Sequence, residues 1–198
     1  MQFSTLKTLI DEVRKLAPGR RIFLFGASSF LASFPTDSPA TIGVEMTLDA
    51  DFFLEPDDEQ IRDQLVAVLG RNRAYHINTG HYCDFVDLRM AEGFPTGWRE
   101  RLVPVPGEEN VFAIHPMDAA VNKVIATASS RLSRRMGGNT PDRGLKDINT
   151  IVALLRAGRL DFTALEARVN ALDLSPALTV ECGRAMVEIR ALAVGHGD

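Results

Sequence analysis

The chain has 198 residues, which corresponds to one domain or to a compact domain with a helical extension. Hydrophobic residues make up 45% and charged residues 24% of it, a balance that is typical of a soluble globular protein and excludes an intrinsically disordered one. The net charge of −4 argues against a protein that coats nucleic acid through bulk positive charge, although it is compatible with a local basic patch.

The sequence predicts a cytoplasmic protein with no membrane partner. Its two cysteines, Cys83 and Cys182, are too few for the disulfide framework of a secreted domain. No apolar run reaches the roughly 18 residues of a transmembrane helix, and the first residues lack the basic-then-apolar order of a signal peptide.

Helical and strand patterns alternate in the first half of the chain. Apolar residues at three- and four-residue spacings predict a helix over residues 3–16, which Pro18-Gly19 ends. Strands are predicted over residues 22–25, 46–54 and 82–90. Further helices are predicted after the turn at residues 26–29 and from Pro56 onward, and residues 91–110 are predicted to be an irregular connector.

The second half is predicted to be helical, over residues 116–136, 145–157, 162–172 and 176–194. We therefore predict an α+β (mixed α/β) fold, with a small mixed sheet and flanking helices in residues 1–110. Residues 111–198 are predicted to form a helical region packed on that core.

Two aspartates stand on the second predicted strand. Alternate side chains of a strand share a face, so Asp49 and Asp51 are expected to point the same way while Ala50 and Phe52 face the core. Mg²⁺ prefers such hard oxygen ligands and is commonly held by one or two carboxylates together with substrate phosphates. The alternative interpretation is a solvated strand end with two surface aspartates.

The turn at residues 26–29 (Gly-Ala-Ser-Ser) joins a predicted buried strand to a helix. Backbone N–H groups and the helix dipole at such a turn favour an anion, and Ser28 and Ser29 add hydroxyl donors. Plain N-capping by serine would produce the same pattern. A turn suited to phosphate followed by paired carboxylates is the combination that a nucleoside triphosphate requires.

These motifs resemble the nucleotidyltransferase superfamily of the DNA polymerase β type. The similarity lies in the glycine–serine turn after a strand and in Thr47-Leu48-Asp49-Ala50-Asp51 on the next one. The separation of Gly26 from Asp49 is closer to the branch that includes the nucleotidyltransferase toxins of abortive-infection and toxin–antitoxin systems. Members of that branch often carry a helical lysine and a later Lys-Asp pair, which match Lys123 and Lys146-Asp147 here. The resemblance spans about residues 20–156.

The resemblance implies a Mg²⁺-dependent enzyme that transfers a nucleoside monophosphate from a nucleoside triphosphate to a hydroxyl of a protein, an RNA or a small molecule. Two Mg²⁺ ions are expected when the triphosphate is bound, and a cognate antitoxin is a partner expected of the toxin branch. Asp49 and Asp51 would act as catalytic metal ligands. The nucleotide would be bound by Gly26, Ala27, Ser28, Ser29 and Lys123.

Enzymes of this family carry a third acid on a neighbouring strand, for which Asp84 and Asp87 are the candidates. In a strand over residues 82–90, alternation places Asp84 on the more apolar face and Asp87 on the other. This favours Asp87 as the third metal ligand and as the general base for the acceptor hydroxyl. Asp84 is the alternative.

Three positions depart from the pattern of the branch. Glu45 replaces an arginine that frequently precedes the Thr-x-Asp-x-Asp motif, Ala27 replaces a glycine, and Thr150 stands where an aspartate is frequent. Because Glu45 would weaken triphosphate binding, a catalytically degenerate binding or regulatory protein of the same fold is the alternative function.

Two further segments carry functional alternatives. Residues 22–32 also resemble the start of a dinucleotide-binding oxidoreductase, but Ser29 and Ala32 stand where that motif needs glycine.

A Gly-Gly-Asn-Thr stretch at residues 137–140 is surrounded by four arginines: Arg131, Arg134, Arg135 and Arg143. Such a basic segment is usually solvated, and contact with an RNA phosphate backbone is the functional alternative.

Overall fold

The computed structural model describes residues 1–44, 47–140 and 144–195 and confirms the mixed α/β class. Its helices are α1 (Phe3–Leu16), α2 (Gly26–Ser33), α3 (Glu59–Leu69), α4 (Ala74–Thr79), α5 (Pro116–Arg135), α6 (Gly144–Arg156), α7 (Phe162–Asn170) and α8 (Pro176–Val194). Its strands are β1 (Arg21–Phe25), β2 (Asp49–Glu55), β3 (Tyr82–Phe85), β4 (Val103–Pro104) and β5 (Val111–Ala113). Two 3₁₀ turns, Leu88–Gly93 and Trp98–Arg101, lie in the connector.

The five strands form one mixed sheet in the order β3-β2-β1-β5-β4. Strand β1 runs antiparallel to β2 and parallel to β5, while β2 runs parallel to β3. A dinucleotide-binding unit joins parallel strands through a crossover helix. Because β1 and β2 are antiparallel, that unit is not formed here, and the oxidoreductase interpretation is wrong in its fold.

The chain divides into two compact units. The first comprises Met1–Ala40 and Val44–Pro116, and the second comprises Thr41–Gly43 and Met117–Asp198. The division after Pro116 lies later than the predicted one after residue 110. The reason is β5, a three-residue strand that pairs with β1 and so belongs to the sheet.

The core of the first unit is built from β1, β2 and α1. Helix α1 buries its predicted apolar stripe, and Phe23 and Phe52 of the two central strands are fully buried. The second unit has its own core, in which apolar residues of α5, α6, α7 and α8 pack together. Each unit thus has a buried apolar core of its own.

Strand β3 is shorter than the predicted strand over residues 82–90. The ladder with β2 ends once the Val86 N–H donates to the Phe52 carbonyl. The next available N–H, that of Leu88, donates instead to a carboxylate oxygen of Asp57 at 3.0 Å, and Asp87 caps the following 3₁₀ turn. Side-chain acceptors therefore replace the strand partner and end β3.

Candidate metal centre

Three carboxylates converge on one face of the sheet in the first unit. Asp49 and Asp51 stand on β2 and Asp84 on β3, and one oxygen of each lies within 4.8 Å of the others. The parallel register pairs Asp51 directly with Asp84, and strand alternation keeps Asp49 on the same face. The predicted orientation of Asp49 and Asp51 is present in the structure. Both are half-buried, whereas Asp84 is exposed.

The third carboxylate of this cluster is Asp84, not the favoured Asp87. The preference for Asp87 depended on a strand that continues to residue 90, but β3 ends at Phe85. Asp87 therefore has no defined sheet face. Asp84, in contrast, is held opposite Asp51 by two neighbouring backbone pairings, Ala50 with Cys83 and Phe52 with Phe85.

Asp87 has a different local role. One of its oxygens accepts from the Arg89 N–H at 2.8 Å, and the other accepts from the Arg89 guanidinium. These bonds to Arg89 hold the pKa of the Asp87 carboxyl well below its ordinary value. Asp87 also lines a cavity of about 540 Å³ together with Arg62 and Trp98, and the cluster carboxylates are not among its lining residues.

The turn at Gly26 lies directly against the cluster. Gly26 has a φ of +60°, and a Cβ added to it would overlap the Asp51 carboxylate. Helix α2 begins at this glycine, and no side chain caps its N-terminus. The positive end of α2 therefore lies beside the carboxylates, as the sequence motif predicts.

The serines of the turn do not present their hydroxyls to solvent. Ser28 and Ser29 are fully buried. The Ser28 hydroxyl donates to the Phe25 carbonyl at 2.6 Å and accepts from the Asp51 N–H at 3.3 Å, and the Ser29 hydroxyl donates to the Gly26 carbonyl at 2.8 Å. In this arrangement the expected hydroxyl contacts to phosphate are not available. Ser28 instead ties the start of α2 to β2.

Lys123 lies on α5 in the second unit, where its ammonium group pairs with the Asp147 carboxylate at the start of α6. Both side chains are largely buried. Thr150, one turn further along α6, is also buried and donates its hydroxyl to the Gly43 carbonyl at 2.9 Å. The departure at Thr150 thus has a structural use within this unit. Glu45, the first of the three departures, lies outside the described residues.

Two arginines of the predicted basic segment are paired with glutamates of α8. Arg131 donates to Glu188 at 2.7 Å, and Arg135 donates to Glu181 at 2.6 Å. Arg143 lies outside the described residues. These pairs support the interpretation of the segment as a solvated, ion-paired surface.

The carboxylate cluster fits a divalent cation. Mg²⁺–oxygen distances are about 2.0–2.1 Å, so two ligands on opposite sides of one ion lie roughly 4 Å apart. Oxygens within 4.8 Å of one another need only a small inward movement to share one ion, and paired ions are held by the same kind of ligand set. Asp49, Asp51 and Asp84 are therefore the residues that would hold Mg²⁺.

The sequence pattern does not favour Asp84 and does not single out Tyr82. Asp84, the alternative to Asp87, could be preferred only through the register, because its pairing with Asp51 depends on where β3 begins. Tyr82 pairs with Asp49 in the same register and stands on the same face as Asp84. Burial and then the nearby Asp49 and Asp84 carboxylates raise the pKa of the Tyr82 phenol, so it stays protonated at neutral pH.

The comparisons with known proteins add no family assignment. No protein-family model matches the chain, and no curated protein or solved structure shows a significant match to it. Within the part of the chain that the structure describes, no helix is long and apolar enough to cross a bilayer.

Proposed function

We propose that the protein is a Mg²⁺-dependent nucleotidyltransferase. The observation that carries this proposal is the convergence of Asp49, Asp51 and Asp84 beside the Gly26 turn. A carboxylate cluster suits Mg²⁺, and the adjoining helix N-terminus suits the phosphates that Mg²⁺ accompanies. The carboxylates and the Gly26 turn both belong to the first unit, which supports a single site for metal and triphosphate.

The sheet order suggests how the reactants are arranged. Strand β1 with the Gly26 turn lies on one side of β2, and β3 with Asp84 lies on the other. We place the triphosphate tail toward α2, where backbone N–H groups receive it, since the serine hydroxyls are already bonded. The acceptor hydroxyl then approaches from the β3 side.

The reaction would be an in-line displacement at the α-phosphorus. The acceptor oxygen forms a bond to this phosphorus, the bond to the departing pyrophosphate breaks, and Asp84 accepts the hydroxyl proton. Mg²⁺, when bound, neutralises the charge that develops on the phosphate oxygens. The contribution of the chain is therefore placement and charge, which the half-buried Asp49 and Asp51 supply.

Asp51→Asn keeps the shape of the side chain but removes the charge that would position the metal. We expect this change to slow nucleotidyl transfer by roughly 10²–10³-fold or more, as removal of other electrostatic groups does. The measurement is the transfer of label from α-³²P nucleoside triphosphates to protein and RNA of a cell extract. Asp63→Asn, an exposed aspartate on α3, is the matched control and should retain transfer.

The same assay separates the two candidates for the third carboxylate. Asp84→Asn should lose transfer, while Asp87→Asn should retain most of it, because Asp87 is bonded to Arg89 instead. Equal labelling by wild-type protein and Asp51→Asn would contradict the proposed function.

A second candidate is a catalytically degenerate binding or regulatory protein of the same fold. It is favoured because the Ser28 and Ser29 hydroxyls are already hydrogen-bonded within the protein and Lys123 is already paired with Asp147. Such a protein would retain nucleoside triphosphate in an equilibrium binding assay with Mg²⁺ but transfer no label. Absence of both binding and transfer would contradict both candidates.

A further inference from the structure

A surface beside the carboxylate cluster combines two exposed arginines with an aromatic ring and an imidazole. It consists of Arg71, Arg73, His76 and Tyr82, and we refer to it as the β3-edge patch. The His76 and Tyr82 ring centroids are 4.9 Å apart with an interplanar angle of 70°. The Arg71 guanidinium lies 5.9 Å from the Tyr82 ring centroid. These contacts join Arg71, His76 and Tyr82, and the exposed Arg73 lies two residues after Arg71, immediately before α4.

The charge of this patch is not neutralised by carboxylates. Many arginines of the chain are ion-paired, as Arg14 is with Glu108 and Arg62 with Asp57. Arg71 and Arg73 are exposed, and within the described ranges neither has a carboxylate partner. The sequence contributes to this, because residues 64–83 contain no aspartate or glutamate. In a chain of net charge −4, this is a local concentration of positive charge.

The patch adjoins the carboxylate cluster on the side away from the Gly26 turn. Tyr82 pairs with Asp49 in the β2–β3 register, and it shares a sheet face with Asp84, two residues further along β3. Strand β3 is the edge of the sheet, so a chain bound along it does not cross β1 or α2. This is the side that the proposed reaction assigns to the acceptor.

We propose that the β3-edge patch binds single-stranded nucleic acid and delivers its terminal hydroxyl to the metal centre. Aromatic rings, imidazoles and guanidinium planes are the groups on which unstacked bases rest, and unpaired arginines contact the phosphates. The phosphates of such a strand would lie next to the acidic cluster, where bound Mg²⁺ would offset the repulsion between phosphates and carboxylates. The inference deepens the proposed function and rests on it for the role of the bound strand, but strand binding itself does not require transfer.

The test is fluorescence anisotropy of labelled single-stranded RNA and DNA of roughly 12 nucleotides, the length that a compact surface covers. It is performed with the full chain and Mg²⁺ and without nucleotide. For wild-type protein we expect binding that weakens as salt is raised between about 50 and 200 mM. For Arg71→Gln with Arg73→Gln we expect the slope of log affinity against log salt to fall by roughly 1.4, because each of the two arginines that neutralises a phosphate adds about 0.7 to it.

Substitutions of Tyr82 test stacking separately from charge. Tyr82→Ala should weaken binding about 10-fold, whereas Tyr82→Phe, which keeps the ring, should bind like wild type. The matched control for charge is Lys146→Gln with Arg184→Gln, which removes two positive charges at exposed positions of the second unit. This control should keep the wild-type salt slope. Circular dichroism establishes that every variant is folded.

The outcomes separate the inference from the function on which it builds. When the assay is repeated without Mg²⁺, Asp51→Asn should bind the strand at least as tightly as wild type, because it removes a negative charge and leaves the patch intact. Strand binding without any transfer would overturn the proposed function and support the proposal that the β3-edge patch binds nucleic acid. Three outcomes would overturn that proposal: transfer without strand binding, tighter binding of an acidic peptide than of the strand, or equal affinity of the patch variants and the control.

Discussion

Two aspartates of the same short segment have different surroundings although their sequence contexts are similar. Asp84 is held on a sheet face by the ladder with β2, whereas Asp87 follows the end of that ladder and bonds to Arg89. The Asp87 carboxylate already accepts from the Arg89 N–H and guanidinium, which compete with a metal ion for its oxygens. Local hydrogen bonds, which the residue pattern does not reveal, therefore decide which carboxylate joins the cluster.

The pKa of Asp87 tests this assignment. We expect it to lie below the ordinary value of 3.8, because bonds to the Arg89 side chain and N–H favour the charged carboxylate. Arg89→Gln should raise it toward that value, as followed by NMR titration of the side-chain carboxyl. Since the folded-state pKa is depressed, the stabilisation is present above the unfolded-state pKa and is lost as pH falls through the folded-state value.

Lys15→Gln removes another exposed positive charge, on α1, and is the control for this titration. It should leave the titration of Asp87 unchanged. An Asp87 pKa near 3.8 in wild-type protein, or one that Arg89→Gln does not move, would contradict the local pairing.

Elements with long periodic patterns agree with their predictions. The helix predicted over residues 176–194 has the bounds of α8, and the helix predicted over residues 3–16 has those of α1. Two short elements differ from their predictions, because the pattern predicts no helix at α4 and places β5 in the helical half. Six and three residues carry too little periodicity to show a type, and β5 becomes a strand because it pairs with the distant β1.

The same limit applies to the candidate site. Asp49, Asp51 and Gly26 could be predicted because their roles follow from alternation and from a strand–turn–helix pattern. Asp84 could not be preferred over Asp87, because the end of β3 depends on the Asp57 side chain, which lies far away in the sequence. The buried state of the Ser28 hydroxyl also depends on a partner on another strand, the Asp51 N–H.

At the level of the element, α3 depends on its N-cap. The Asp58 side chain accepts from the Gln60 and Ile61 N–H groups at 3.0 and 3.2 Å. Asp58→Ala should lower the free energy of unfolding by about 1 kcal/mol, because these N–H groups lose their acceptor. Urea denaturation followed by circular dichroism provides the measurement.

Asp58→Asn is the matched control for the cap. It keeps the accepting oxygen but loses the charge that pairs with Arg20 at 3.2 Å. The Asp58 carboxylate is 41% exposed, so its ion pair contributes little and this variant should lie within about 0.5 kcal/mol of wild type. An equal loss of stability in both variants would show that the Arg20 pair, not the cap, supports the start of α3.

At the level of the whole molecule, the chemistry is divided between two units with separate cores. The carboxylate cluster, the Gly26 turn and the β3-edge patch all belong to the first unit. The Lys123–Asp147 pair belongs to the second, where Lys123→Ala would leave a largely buried carboxylate unpaired. The three carboxylates of the proposed metal site thus all lie on the sheet of the first unit.

The segment Thr41–Gly43 belongs to the second unit, although the chain before and after it belongs to the first. This segment contacts α6 through Gly43, whose carbonyl accepts from the Thr150 hydroxyl and whose φ is +68°. A Cβ at Gly43 would lie 2.9 Å from both the Thr150 Cα and the Ala153 Cβ. Residues 41–43 can therefore approach α6 closely only because residue 43 has no side chain.

Gly43→Ala should consequently destabilise the protein through two effects, the positive φ and the overlap with α6. Gly19→Ala isolates the first, since Gly19 has a φ of +76° and nothing within 4 Å of an added Cβ. We expect a cost of about 1 kcal/mol for the strained φ alone at Gly19 and a further cost of about 1–3 kcal/mol at Gly43 from overpacking. Scanning calorimetry measures both, and Gly43→Ala should have clearly the lower melting temperature. If the two variants melted together, the close approach of residues 41–43 to α6 would not exist in solution, and the placement of Thr41–Gly43 in the second unit would have to be abandoned.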